Sequence, residues 1–277
     1  MFSISIVWGS GVLLTVDGRA LDPDYREPRN YRVIVYSEDG REKPLALISG
    51  YGDESILESV FQIVEDVFYE WFDSVGSKSW RNPGDTEVKR LISEVEERIM
   101  ERYRGLKSFG VSPNTHISIG TVTQDGSPRL YYIDGRGLAT PRHSAPGYIV
   151  LGPPASVYIA EAILRLLSYS PQESGRWNLG LLSAFVLQIA SEVDPNVSPN
   201  IGDSLFMRYD PNEKDIVVGS IKDQAISRMR DRLERRREAF KLLWRSMDIL
   251  GDDREDRVIR LLRNMVEGQK MAEDSQF

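Results

Sequence analysis

The chain has no cysteine, only two histidines, no surplus of positive charge and no unbroken apolar run of membrane-spanning length. Without cysteine there are no disulfides, no thiolate nucleophiles and no thiolate-held metals. His116 falls in an alternating run and His143 in a stretch rich in Pro and Gly, so each reads as structural or solvated, and no metal or cofactor site is expected. With 35 Lys and Arg against 42 Asp and Glu, a formal charge of −7, the chain lacks a net basic balance, and nucleic acid is not an expected partner. The start lacks a basic cluster followed by an apolar run, and no stretch of about eighteen apolar residues exists, so neither export nor membrane insertion is expected and the location is read as cytoplasmic. Gly9-Ser10-Gly11 is followed by neither a helix pattern nor a Gly-Lys-Ser/Thr ending, which makes it a turn and not a phosphate cradle.

What the 277 residues do contain is alternation and helical periodicity in blocks. Phe2, Ile4, Ile6 and Trp8 alternate with Ser3, Ser5 and Val7, the two-residue period of a half-buried strand, and a second strand follows at Val12 to Asp17. Pairing Trp8 with Val12 across the glycine turn sets Ile6 opposite Leu14 and Ile4 opposite Val16 on an apolar face. It sets Ser5 opposite Thr15 and Ser3 opposite Asp17 on a polar one. Strands are expected at 31–37 and 44–49, then a Gly-rich break with Asp53 as N-cap of a helix carrying Ile56, Leu57, Val60, Phe61, Val64, Val67, Phe68 and Trp71. A second helix is read over 86–104, strands at 115–123, 129–134 and 147–151, helices at 155–168 and 178–192, and a hairpin at 204–209 and 215–219.

Blocks of strands alternating with helix pairs argue against a doubly wound parallel sheet. They fit an α+β fold, a four-layer α-β-β-α sandwich of two stacked antiparallel sheets with helix pairs outside. Residues 1–220 form that domain in this reading. Residues 221–277 form a charged C-terminal extension of amphipathic helices, with a heptad stripe through Ile226, Met229, Leu233, Phe240, Leu243, Met247 and Leu250 that packs on its own domain or holds a partner.

Gly11 to Arg19 (GVLLTVDGR), Leu47 to Leu57 (LISGYGDESIL), Leu130 to Gly137 (LYYIDGRG) and the following YIVLGPPASVYIAEAIL resemble, in order, motifs of the proteasome core subunits and their bacterial relatives, the N-terminal-nucleophile hydrolases. The resemblance runs over about residues 2–219 and points to a β-type or stand-alone member. It implies a threonine-type peptidase whose nucleophile is an N-terminal hydroxyl residue activated by its own α-amine, and it implies ring-forming assembly with proteasome-like subunits and a protein substrate or partner. Counted back from Asp17 and Arg19, the nucleophile position falls on Met1, which cannot do that chemistry; losing Met1 and Phe2 would expose Ser3 instead. The family's lysine matches Arg32, or less well Arg29, and its second aspartate matches Asp194, with Ser198 as a shifted partner. Gly152-Pro153-Pro154 replaces a glycine-serine-glycine element, losing a hydroxyl and a backbone donor. The resemblance therefore implies a degenerate site of Asp17, Arg32, Asp194 and Ser3, with an Asp17–Arg32 ion pair as the packed remnant or a repurposed pocket as the alternative. The competing expectations are an active peptidase freed by processing, using Ser3, Ser5 or Thr15, and an interaction protein acting through its C-terminal helices.

Overall fold

The structure, a computed structural model, describes residues 2–18, 31–36, 40–176, 178–221 and 223–250, together with 256, 258–262 and 264. The chain divides into two compact units, Met1–Ser227 and Arg228–Phe277.

In the first unit, β1 (Ser3–Trp8), β2 (Gly11–Asp17), β8 (Tyr148–Leu151), β9 (Ile201–Asp210) and β10 (Asp215–Ser220) make one sheet in the order β10-β9-β2-β1-β8. A second sheet has the order β3-β4-β5-β6-β7, from β3 (Tyr31–Tyr36), β4 (Glu42–Tyr51), β5 (His116–Val122), β6 (Pro128–Ile133) and the three-residue β7 (Ala139–Pro141), which the sequence reading missed. Every pairing is antiparallel. Helices α1 (Glu54–Ser74) and α2 (Asp85–Ser108) cover the second sheet, and α3 (Pro154–Leu166) and α4 (Leu179–Val193) belong to the first.

Three apolar layers account for this stacking. Ile56, Val60, Val64 and Phe68 of α1 and Val88, Val95 and Ile99 of α2 recur at three and four residues and bury one face against Val33, Leu45, Ile48, Ile117 and Ile119. Phe2, Ile4 and Ile6 pack with Val186, Leu187 and Ala190 of α4 and Ala160 and Leu164 of α3. Between the sheets lie Val7, Val12, Leu14, Leu47, Val122, Leu130, Leu205 and Met207. Both faces of each sheet are therefore apolar, the α-β-β-α sandwich expected from the block order. Each fully buried side chain of this size contributes about 1.5–3 kcal/mol by leaving water.

Local signals start the helices as the sequence indicated. Asp53 caps α1 by accepting the Ile56 N–H at 3.2 Å. Gly52 turns the chain from β4 into α1 at φ +139°, where a Cβ would lie 2.3 Å from the Asn114 carbonyl oxygen. Proline at the first position of α3 costs nothing, since its missing N–H has no partner there.

The first hairpin differs from expectation by one residue. Gly9-Ser10 is a two-residue turn, so Trp8 pairs with Gly11, Val7 with Val12, Ser5 with Leu14 and Ser3 with Val16. Gly11 belongs to the strand because the Trp8 ring covers it: a Cβ there would meet that ring at 2.5 Å and the Met207 carbonyl oxygen at 2.4 Å. A slip of one residue moves every β2 side chain to the other face. Leu14 and Val12 thus join Ser3 and Ser5 between the sheets, while Leu13 and Thr15 share the helix-side face of Ile6 and Ile4.

Of the C-terminal stripe, carried on α5 (Asp223–Leu250), Leu233 is buried, Met229 and Leu243 are half-buried and Phe240 is exposed, as is Leu242 outside the stripe; the side chains of Ile226, Met247 and Leu250 lie outside the described ones. Residues 258–262 are helical.

Candidate functional site

Ser3, Asp17 and Asp194 come from the ends of β1, β2 and α4, and all three are buried. The single polar face expected for the first hairpin does not form. Ser3 and Ser5 face the second sheet, where Ser5 Oγ and Ser118 Oγ are 2.7 Å apart and tie the two sheets together. Among the described residues Ser3 Oγ has no hydrogen-bond partner, and neither does Ser49 Oγ on the opposing sheet. Thr15 lies on the other face, its Oγ1 3.0 Å from Ser204 Oγ.

Asp17 sits at a bulge in the β2–β9 pairing and directs its carboxylate at main chain. Oδ1 accepts the Phe2 N–H at 3.0 Å and Oδ2 accepts the Ser198 N–H at 3.0 Å. The Asp17 N–H in turn reaches the Phe2 carbonyl, and the Gly18 N–H reaches the Asn200 carbonyl at 2.6 Å. Asp17 thereby clamps the entry of β1 to the segment that leads from α4 into β9.

The two matched aspartates meet opposite ends of that segment. Asp194, the C-cap of α4, accepts the Ser156 hydroxyl at 2.9 Å and the Asn196 N–H at 2.8 Å. Ser156 was not among the expected site residues: the hydroxyl missing from Gly152-Pro153-Pro154 is supplied two positions further on, from the buried side of α3. Its signal was present as the only serine of α3. Ser198, expected beside Asp194, meets Asp17 through its backbone and accepts the Asn200 N–H on its hydroxyl at 3.2 Å.

Arg32 departs most from expectation. It pairs with Leu47 across the edge strand β3 and is exposed, while Asp17 is 1% exposed and spends its oxygens on backbone N–H groups. No Asp17–Arg32 ion pair forms. An edge strand leaves one flank and much of its side-chain surface in water, which suits a guanidinium better than the apolar space behind Leu47. Met1, Arg19 and Arg29 lie outside the described residues.

The histidines are held by the protein. His116 Nε2 donates to Asn114 Oδ1 at 3.3 Å, which leaves Nδ1 to accept the Tyr132 hydroxyl at 2.6 Å, and burial lowers its pKa. Burial likewise lowers the pKa of His143. Among the described residues no group of three or more Asp, Glu, His or Cys is placed to hold a metal ion, and no helix is long and apolar enough to cross a membrane.

Two five-stranded antiparallel sheets between helix pairs give this chain the fold seen in solved structures of Anbu. Comparison with solved structures gives Anbu from Hyphomicrobium sp. strain MC1 at 12% identity and a TM-score of 0.60, covering 89% of this chain and 98% of that one. Anbu from Yersinia bercovieri, described as an ancestral beta-subunit, is similar at 11% identity and a TM-score of 0.58, over 89% and 97% of the two chains. No family model and no curated protein matches the chain.

Proposed function

We propose that this chain is a catalytically degenerate proteasome-subunit-like protein that assembles in ring-type oligomers and has a structural or adaptor role in cytoplasmic protein degradation. The observation that carries the reading is the use made of Asp17: both carboxylate oxygens are taken by main-chain N–H groups, with Arg32 out in solvent. A hydroxyl is a weak nucleophile unless a base lies within hydrogen-bond reach. Ser3 Oγ has no such neighbour among the described residues, and the position matched to the family's nucleophile holds methionine. Assembly is supported by the likeness to Anbu, one example of which is described as an ancestral beta-subunit, and by exposed apolar side chains along α3, Tyr158 at 75% and Leu166 at 82%.

Three measurements on one preparation test this. Intact mass should retain Met1, fluorogenic peptides should not be hydrolysed above a Ser3→Ala background, and light scattering should give a multimer. Peptide hydrolysis abolished by Ser3→Ala, together with a mass that begins at Ser3, overturns degeneracy. A monomer at micromolar concentration removes the ring. A second reading, an interaction protein acting through its C-terminal helix, is supported by the exposure of Phe240 and Leu242 on α5. Under that reading, deletion of residues 228–277 abolishes pulldown of partners while the multimer persists.

A further inference from the structure

Charge is divided unevenly along the chain. Residues 1–227 hold 22 Lys and Arg against 31 Asp and Glu, whereas residues 228–245 of α5 hold eight against three. Helix residues four apart stand one above the next on a single ridge. Arg228, Arg232 and Arg236 form such a ridge with Arg235 beside it; all four are exposed, and none has an ion pair among the described residues. The acids of the same stretch, Asp231, Glu234 and Glu238, follow a separate ridge, where Glu238 pairs with Lys241 at 2.9 Å.

A row of opposite sign lies on α1, a helix with six acidic residues and no Lys or Arg. Val60, Val64 and Phe68 fix its buried side, which leaves Glu58, Gln62, Asp66 and Glu70, again four apart, on the side away from the sheet. Glu70 is answered by Arg98 at 2.5 Å, while Glu58, exposed, and Asp66, half-buried and accepting the Gln62 amide at 2.8 Å, have no ion pair among the described residues. Asp66 follows Glu58 by eight residues, as Arg236 follows Arg228, so each row spans about 12 Å at a helical rise of about 1.5 Å per residue. Each row lacks its complement among the described residues of its own chain, and a second copy brings that complement.

We propose that the arginine ridge of α5 docks on the acidic ridge of α1 of a second copy of this chain. Ridges of residues four apart on both helices give the commonest helix packing, and the guanidinium fork meets a carboxylate with two parallel N–H donors. A phosphodiester chain fits less well, because Asp231, Glu234 and Glu238 run beside the arginines and the rest of the chain is acidic. The two faces differ, so the contact is heterologous: each copy offers its basic face to one neighbour and its acidic face to another. Such an assembly closes as a ring or continues as a helix and does not stop at a two-fold dimer. Exposed ion pairs are individually weak and screened by salt, which makes the contact salt-sensitive. The proposal rests on the multimer of the first reading above, and it gives α5 to self-assembly in place of an outside partner.

The test is sedimentation velocity of the full chain at about 50 mM and about 500 mM NaCl, concentrations on either side of the range where screening takes over. The mean mass of the wild type should fall at least about twofold at high salt. Arg232→Glu with Arg236→Glu should give the same fall at low salt, as should Glu58→Lys with Asp66→Lys. An equimolar mixture of the two variants should recover the wild-type mass, because the reversed row of each then meets its complement on the other. Circular dichroism checks that both variants fold; Glu58→Lys alone replaces the second one if Asp66→Lys disturbs α1. A multimer indifferent to both reversals overturns the proposal and leaves the ring reading in place. A mixture that does not recover means the rows do not meet between copies and overturns it as well. Retention of a labelled oligothymidine by the wild type, lost in the arginine variant while its mass is unchanged, assigns the ridge to nucleic acid and overturns it too. A wild type that is monomeric at low salt removes this contact and the ring together.

Discussion

Asp17 is a carboxylate whose two partners are both backbone, one from the strand that enters the sandwich and one from the segment that leaves α4. Asp17→Ala strips the acceptor from two N–H groups, each worth about 1–3 kcal/mol when left unsatisfied and buried. A loss of about 2–4 kcal/mol in urea unfolding is therefore expected, with no change in peptide hydrolysis. If Asp17→Ala unfolded at the wild-type midpoint, the clamp would not exist. Ser156→Ala removes one hydroxyl donor from Asp194, whose Asn196 contact remains, so a smaller cost of about 1–2 kcal/mol is expected by the same measurement. The sequence singled out the two aspartates because the short motifs that carry them resemble the family's. Their partners were not, since Ser156 and Ser198 lie 38 and 181 residues away along the chain.

Within the elements, the hairpin β1–β2 separates what periodicity can tell from what it cannot. The alternation of Phe2, Ile4 and Ile6 with Ser3 and Ser5 identified the strand and its continuous apolar side, which the structure packs against α3 and α4. The register across the turn was off by one because Gly9-Ser10-Gly11 reads equally well as a three-residue loop or as a two-residue turn with Gly11 in the strand. The choice is made by the Trp8 ring and the Met207 carbonyl, which occupy the space a side chain would need. Gly11→Ala is accordingly predicted to be more damaging than a glycine-to-alanine change in a loose turn, since one of its clashes is with backbone that cannot yield. Gly120→Ala tests the inter-sheet layer: the new Cβ would come within 2.7 Å of Val12 Cγ1, and overpacking of a tight core costs about 1–3 kcal/mol. Both are checked by thermal unfolding beside Gly9→Ala, where nothing lies within 4 Å of an added Cβ and only a small change is expected.

For the whole molecule, pH provides a further test. Burial lowers the pKa of His116 and of His143, so their neutral forms are favoured by folding, and the unfolded chain binds more protons. The stability they contribute is complete above the ordinary histidine value of about 6.5 and is lost as the pH falls through their lower folded values. Unfolding free energy should therefore drop between neutral and mildly acidic pH, and His116→Gln with His143→Gln should flatten that part of the curve. A wild-type profile already flat over this window would mean that neither ring titrates with unfolding.

Block order and apolar periodicity were enough to indicate a two-sheet sandwich covered by helix pairs, because those properties depend on neighbours a few residues apart. The two aspartates were singled out through the resemblance of the short motifs around them to those of the family. Which oxygen meets which N–H, and that Arg32 ends in solvent on an edge strand, were decided only when distant strands and loops met. Hydrogen bonding and burial depend on the partner across the sheet, and a linear sequence does not contain that partner's position.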